Sequence, residues 1–297
     1  MKVRIGVAAG SATSELGAVV DACESRGIDS LWFSERPGAD LVDPIVGMAH
    51  AVSRTTNLKV GTGVTVLPGR NPVVLAKQLA SLAALAPKRV LPAFGLQAAT
   101  PAERQLYPVA TGERGRLFDE ALLVLRRLLS EPEVTHHGEF FTLEGAHVDP
   151  LPLKPLDIWL GGQGPKAMER IGRLGDGWLA AFMTPEQTAA GRVAIDEAAD
   201  AASRAVDADH HGVSIPLLLT DQPVPATFAE MLRARNPGAD PERVVPHGWA
   251  AARDLIRAHA DGGITKFVVR PIGQLGWEDF LDALGEHLLP LEAQLSS

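Results

Sequence analysis

A TIM (β/α)8 barrel is the α/β fold that this 297-residue sequence predicts, and three observations carry the prediction. Short β-rich runs alternate with amphipathic helices along the chain, which means βαβ units and a parallel sheet. The number of strand-helix pairs reaches eight, the number at which a parallel sheet closes on itself. The length suits one such barrel, which routinely runs to about 250 residues or more as a single domain.

Val3 to Ala8 reads as the first strand, and the helix from about Ser14 places Leu16, Val19, Val20 and Cys23 on one face. With one cysteine in the chain, an intramolecular disulfide is excluded and an inert core thiol is expected. "GIDSLWFSERPG", Gly27 to Gly38, carries the second strand and ends it in Ser34, Glu35 and Arg36, before a helix from about Asp43. "LKVGTGVTV" is the third strand. Asn71 and Pro72 then suit the N-cap and first position of a helix whose buried side is expected from Val73, Val74, Leu75, Leu79, Leu82 and Leu85. "KRVLPAFG" is the fourth, with a helix from about Gly112, and "LDIWLGG" the fifth, with a helix from Pro165 to a stop at Gly175. "DGWLAAF" precedes a helix from about Pro185, "GVSIPLLLT" one from about Trp249, and "TKFVVRP", with Lys266 to Arg270, one from about Trp277.

Two segments interrupt the alternation. Residues 131–155 hold alternating residues, a His-Gly turn and a proline-rich exit, which predicts an inserted hairpin or loop. Residues 221–248, from Asp221, place a short helix between proline-rich ends after the seventh strand, where a barrel carries its active-site lids. One domain over residues 1–297 with these two insertions is therefore expected.

Composition narrows the function. A net charge of -8 with no basic stripe argues against nucleic acid. No apolar run approaches a membrane span, and Met1 opens onto a strand pattern, so a cytoplasmic location without membrane contact is expected. His136, His137 and His147 lie close together, but the first two would face opposite ways on a strand and lack cysteine or clustered carboxylate help, so no metal site is expected.

The strongest local signal is "IWLGGQGPKAMERIGRLGDGW", in which an apolar strand ends in Gly161 and Gly162 before Gln163, Gly164 and Pro165 open a helix. Bare backbone at a helix start approaches an anion, which the helix dipole also favours. Lys166 either faces that anion or swings into solvent. "GQGPKA" also fits a weak dinucleotide fingerprint, but four βα units precede it and no acidic residue ends a following strand at the expected distance. At the second strand's end, Glu35 beside Arg36 is either a substrate-binding pair or a surface ion pair. Arg70, just before the Asn71 cap, stands where it could reach an anionic tail, whereas Lys77 is expected in solvent.

Taken in order, these stretches resemble the luciferase-like monooxygenase superfamily, flavin and deazaflavin oxidoreductases on a bacterial-luciferase-like TIM barrel. The resemblance rests on "GIDSLWFSE", "TTNLKVGTGVTVLPGRNPVVLAKQLASLAALAPKRV", "ERGRLFDEALLVLRRLL" with "VTHHGEFFTLEG", "IWLGGQGPKAMERIGRLGDGW" and "GITKFVVRP", nearly the whole chain. The pattern is most similar to the deazaflavin-dependent branch. The resemblance implies hydride exchange between coenzyme F420 and a small organic substrate, with an FMN monooxygenase as the alternative and a flavin-binding protein without turnover as a third. It implies Glu35 as a catalytic and cofactor-contacting acid with Arg36 beside it. It also implies a cis peptide at Gly63 and Val64 behind the cofactor ring, Gly95 at the pocket floor, and Gly161, Gly162, Gln163, Gly164 and Pro165 as the phosphate turn. A homodimer is implied too. Arg36 stands where related enzymes often have histidine, and Ala98 where some have a glutamate.

Overall fold

The computed structural model describes residues 2–10, 13–98, 100–220, 222–273 and 276–296. Ten of its strands make one curled, all-parallel sheet. They are β1 (Arg4–Ala9), β2 (Ser30–Phe33), β3 (Lys59–Thr62), β4 (Thr65–Val66), β5 (Val90–Leu91), β6 (Ala93–Gly95), β9 (Trp159–Gly161), β10 (Gly177–Ala181), β11 (His211–Leu218) and β12 (Lys266–Ile272). The order across the sheet is β4-β6-β9-β10-β11-β12-β1-β2-β3-β5. Ten strands stand where eight are expected because two positions are broken. The third breaks at the cis peptide Gly63–Val64, and the fourth at Pro92, which has no N–H to give a ladder.

The helices are α1 (Leu16–Ser25), α2 (Pro44–Arg54), α3 (Pro72–Leu85), α4 (Pro101–Arg104), α5 (Arg114–Leu128), α6 (Pro165–Leu174), α7 (Pro185–Ala201), α8 (Ala226–Arg235), α9 (Pro241–Val244), α10 (Gly248–Asp261), α11 (Trp277–His287) and α12 (Pro290–Leu295). Several start on the chemistry expected of them. The Asp43 carboxylate accepts from the amides of Ile45 and Val46, and Asn71 accepts from those of Val73 and Val74. Pro165 opens α6 and Gly175 ends it.

Residues 131–155 do contain a hairpin, with β7 (Val134–His137) antiparallel to β8 (Thr142–Ala146). Its His136 Nε2 lies 3.1 Å from a carboxylate oxygen of Glu120, which also accepts from the amides of Phe140 and Phe141. The second insertion carries two helices, α8 and α9, anchored by a satellite cluster that includes Leu218, Leu232 and Val245. Asp221, its expected first residue, lies outside the described residues.

Period-2 alternation sorts the strand residues into two cores. Ile5, Val7, Leu31, Phe33, Val60, Phe94, Leu160, Phe267 and Val269 face the surrounding helices. Ala8, Trp32, Ala93, Trp159, Leu179 and Val268 face inward, with Val64 and Leu91 packed on them. Trp32 and Trp159 meet edge to face with ring centroids 6.2 Å apart, which fills the inside of the sheet at mid-height. Cys23 is fully buried in the outer core, and burial pushes its thiol up to about 12, as an inert core residue requires.

One expectation about α3 is corrected. Val74 and Leu85 are 57% and 73% exposed, and the buried side is built from Leu75, Ala76, Leu79, Ala80, Leu82 and Ala83. Leu75, Leu79 and Leu82 are buried as expected, and Ala76, Ala80 and Ala83 complete the face that Val74 and Leu85 do not join.

Candidate functional site

The inner wall at the carboxyl ends of the strands is built around Val64. An added Cβ at Gly95 would lie 2.5 Å from one Val64 methyl, and one at Gly161 would lie 3.0 Å from the other. Both glycines continue the inward-facing rows of Ala93 and Trp159, so two neighbouring strands give up their side chains to let one valine project between them. Thr62 fastens this wall from below, since its hydroxyl donates to the Ala93 carbonyl at 2.6 Å and accepts from the Ala93 amide at 2.8 Å.

The facing wall is polar. Ser34 continues the inward row of Trp32, and its hydroxyl donates to the carbonyl of Gly63 at 3.0 Å. Arg270, two residues beyond inward-facing Val268 on β12, donates from Nη2 to the same hydroxyl at 2.7 Å. Burial lowers the Arg270 pKa, and the neighbouring Arg36 lowers it further. Arg36 itself pairs through Nε with Glu103 at 2.8 Å. Burial raises the Glu103 pKa, but its hydrogen bonds with Arg36 and Thr100 outweigh that and hold the carboxyl below the usual range. Arg104 and Arg235 stand close enough that Arg235 is held below its ordinary pKa by burial and then by Arg104 and Arg36.

Glu35 is almost wholly enclosed, and both of its carboxylate oxygens are taken. One accepts from the amide of Val66 at 2.6 Å, and the other is ion-paired with Arg70. Arg70 also donates from Nε to the Val66 carbonyl at 2.9 Å. The pair thus clamps β4 to the end of β2, from the side opposite to Ser34. Arg70, placed by the sequence where it could reach an anionic tail, is this clamp's cation. Lys77, expected in solvent, is exposed but hydrogen-bonds the carbonyl of Asp149.

At the end of β9 the backbone is bare. Gly162 and Gly164 have φ of 152° and 80°, the second conformation being one that glycine adopts at little cost. A Cβ on Gly162 would come within 2.8 Å of the Ala167 methyl, while one on Gly164 would meet nothing within 4 Å. The side chain of Gln163 reaches the Ala181 carbonyl at 3.3 Å, and the Trp178 indole donates to the Gly162 carbonyl at 3.0 Å. These bonds hold the turn in place, with the α6 N-terminus open beside it.

The structure therefore gathers Arg36, Gly63, Val64, Gly95 and the turn from Gly161 to Pro165 at the strand ends. It places Glu35 at the same level but engaged with the backbone. Sequence reasoning missed Ser34 as a bridge, Glu103, Arg235 and Arg270. A signal was present for the last: an arginine closing the apolar run "KFVVRP" at an inward position is out of keeping with a buried strand. Among the described residues no cluster of three or more potential metal ligands occurs.

The luciferase-like monooxygenase family model matches residues 2–264. Among curated proteins, an F420-dependent glucose-6-phosphate dehydrogenase from Kineococcus radiotolerans is 31% identical over 165 residues, 52% of this chain and 49% of that protein. The chain spans about half the length of the curated relatives it matches first. Among solved structures, an F420-dependent secondary alcohol dehydrogenase in complex with an F420-acetone adduct superposes with a TM-score of 0.80 at 20% identity, covering 97% of this chain and 98% of that one. A monooxygenase from Streptomyces bottropensis superposes with a TM-score of 0.79 at 21% identity, covering 97% and 99%. At these identities the superpositions speak for the fold.

Proposed function

The chain belongs to the luciferase-like monooxygenase family, and on that premise we propose that it is an F420-dependent oxidoreductase acting on a small organic substrate. The observation that carries the reading is the wall of Val64, Gly95 and Gly161 beside the bare turn that opens α6, in a chain whose curated relatives include F420-dependent dehydrogenases. When bound, the deazaflavin supplies the hydride chemistry, and the protein supplies position and field.

The residues present fit such a group. Gly161, Gly162, Gln163, Gly164 and Pro165 would hold its phosphate, because Gly162 and Gly164 leave the backbone before the first turn of α6 without a Cβ. Gly63, Val64 and Gly95 would support its ring system. Arg36, fixed by Glu103, would add positive charge at the rim. We assign Glu35 to holding the wall through Val66 and Arg70, since each of its oxygens is bonded to one of them.

Three structural proposals accompany this reading. The sheet closes as a TIM barrel, supported by β5 pairing with β3 and β6 with β9 across a single proline. One domain spans residues 1–297, with the hairpin and the α8–α9 segment as insertions. The homodimer uses α2 and α3, supported by exposed Val46, Val74 and Leu85 on those helices.

Equilibrium titration with F420 and with FMN, followed by quenching of cofactor fluorescence, tests the assignment. Preferential F420 binding and F420-linked absorbance changes with organic alcohols or carbonyls are expected. FMN preference would favour a monooxygenase, and tight binding without turnover across a broad panel would favour a flavin-binding protein.

A further inference from the structure

We propose that the molecule reacting at this site carries an oxyanion group, a carboxylate or a phosphate, and that Arg270 receives it at the carboxyl end of β12. The proposal rests on the reading above that the strand ends hold the reactants. It begins with an imbalance of charge. Three other cations of the sheet and its ends are each paired with a carboxylate: Lys266 with Asp29, Arg70 with Glu35 and Arg36 with Glu103. Arg270 forms no ion pair with any described residue, and its recorded hydrogen bond is to a neutral hydroxyl, that of Ser34. Arg270 is half-buried, and a guanidinium partly withdrawn from water without a counter-charge is unfavourable unless something supplies one.

The fold aims this group into the site. Arg270 follows Val268 on the inward face of β12, while the preceding Val269 packs under the helices. Ser34 holds one Nη and is itself anchored to the Gly63 carbonyl, so the guanidinium is oriented before a ligand arrives. A planar fork with fixed orientation suits a carboxylate or phosphate, which can take two parallel N–H bonds from it.

The surroundings point the same way. Arg36 lies close enough to depress the Arg270 pKa, and Arg36 and Arg104 do the same to Arg235. Among the described residues Glu103 is the carboxylate acting on Arg235, and it is already bonded to Arg36 and Thr100. Arg36 beside Arg270 adds positive charge that attracts anions. The position is also separate from the turn at Gly161, because β10 and β11 lie between β9 and β12 in the sheet. A neutral alcohol would leave this charge unmatched, whereas an organic acid or a phosphorylated substrate would neutralise it.

The test uses inorganic phosphate and acetate as probes at constant ionic strength, by titration calorimetry, with F420 titrated separately by fluorescence. The variants are Arg270→Gln, Arg270→Lys and, as a control on exposed α8, Arg233→Gln. The parent and Arg233→Gln should bind a probe alike. Arg270→Gln should bind it about tenfold more weakly or worse, since a charge-assisted bond is lost, and should bind F420 as the parent does. Arg270→Lys, which keeps the charge and loses the fork, should fall between them and serves alone if the glutamine variant does not fold. Equal probe binding by the parent and the Arg270 variants would overturn the proposal, as would a parent that binds neither probe. Joint loss of probe and F420 binding would also overturn it, by giving the anion to the cofactor. If the parent bound no flavin yet bound phosphate through Arg270, the anion site would stand and the cofactor reading would fall.

Discussion

Replacing Glu35 with glutamine removes a charge while keeping the shape of the side chain. The amide oxygen can still accept from Val66, now 2.6 Å from the carboxylate, but the ion pair with Arg70 is gone. Breaking a fully buried pair from one side costs roughly 3 to 5 kcal/mol, and an exposed pair contributes at most about 1. Here the Glu35 side chain is 6% exposed and that of Arg70 23%, and Arg70 keeps its bond to the Val66 carbonyl. That intermediate setting gives about 2 kcal/mol, or a fall in melting temperature of about 3 °C in a chain of this size. Adding Arg70→Met should recover part of the loss, because the stranded cation is then removed as well. The assay is thermal denaturation at neutral pH beside F420 titration of the same samples. If Glu35→Gln melts within about 1 °C of the parent yet loses cofactor affinity, the carboxylate addresses the ligand and the clamp argument fails.

Gly95→Ala should push a methyl into Val64, costing about 1 to 3 kcal/mol by overpacking, and Val64→Ala in the same chain should restore the melting temperature. Gly164→Ala meets no neighbour, so only its φ of 80° opposes it. We expect a loss of about 1 kcal/mol in stability and a larger relative loss of F420 affinity, with unchanged affinity ruling out the phosphate turn. His211 and His259 are both buried, and burial lowers each pKa to about 4. Each is neutral in the folded chain but takes a proton near pH 6.5 when unfolded. Their contribution is therefore complete above about pH 6.5 and is lost as pH falls toward about 4, by up to about 3 kcal/mol for each histidine. Neither ring nitrogen of His211 has a hydrogen-bond partner among the described residues. His211→Leu should therefore flatten the fall in melting temperature across that window, and an unchanged slope would count against it.

Much of the architecture was legible in the sequence because its causes are local. Asp43 and Asn71 cap their helices through amides two and three residues ahead, Pro165 and Gly175 bound α6, and the glycines around Gln163 take up backbone angles that larger residues avoid. The wall and the charges were not legible in this way. Glu35 finds Arg70 across 35 residues and Ser34 finds Arg270 across 236, so neither pair leaves a spacing to read. Gly95 and Gly161 resembled parts of a ligand loop, and only the packed sheet shows that each also makes room for Val64. Val74 and Leu85 read as core until the alanines of α3 took the inner face. Caps, turns and periodicity depend on a few consecutive residues and are written into the sequence by itself. Which carboxylate neutralises which cation, and which cation is left for a ligand, depends on the register of the curled sheet, and that was decided only by the tertiary structure.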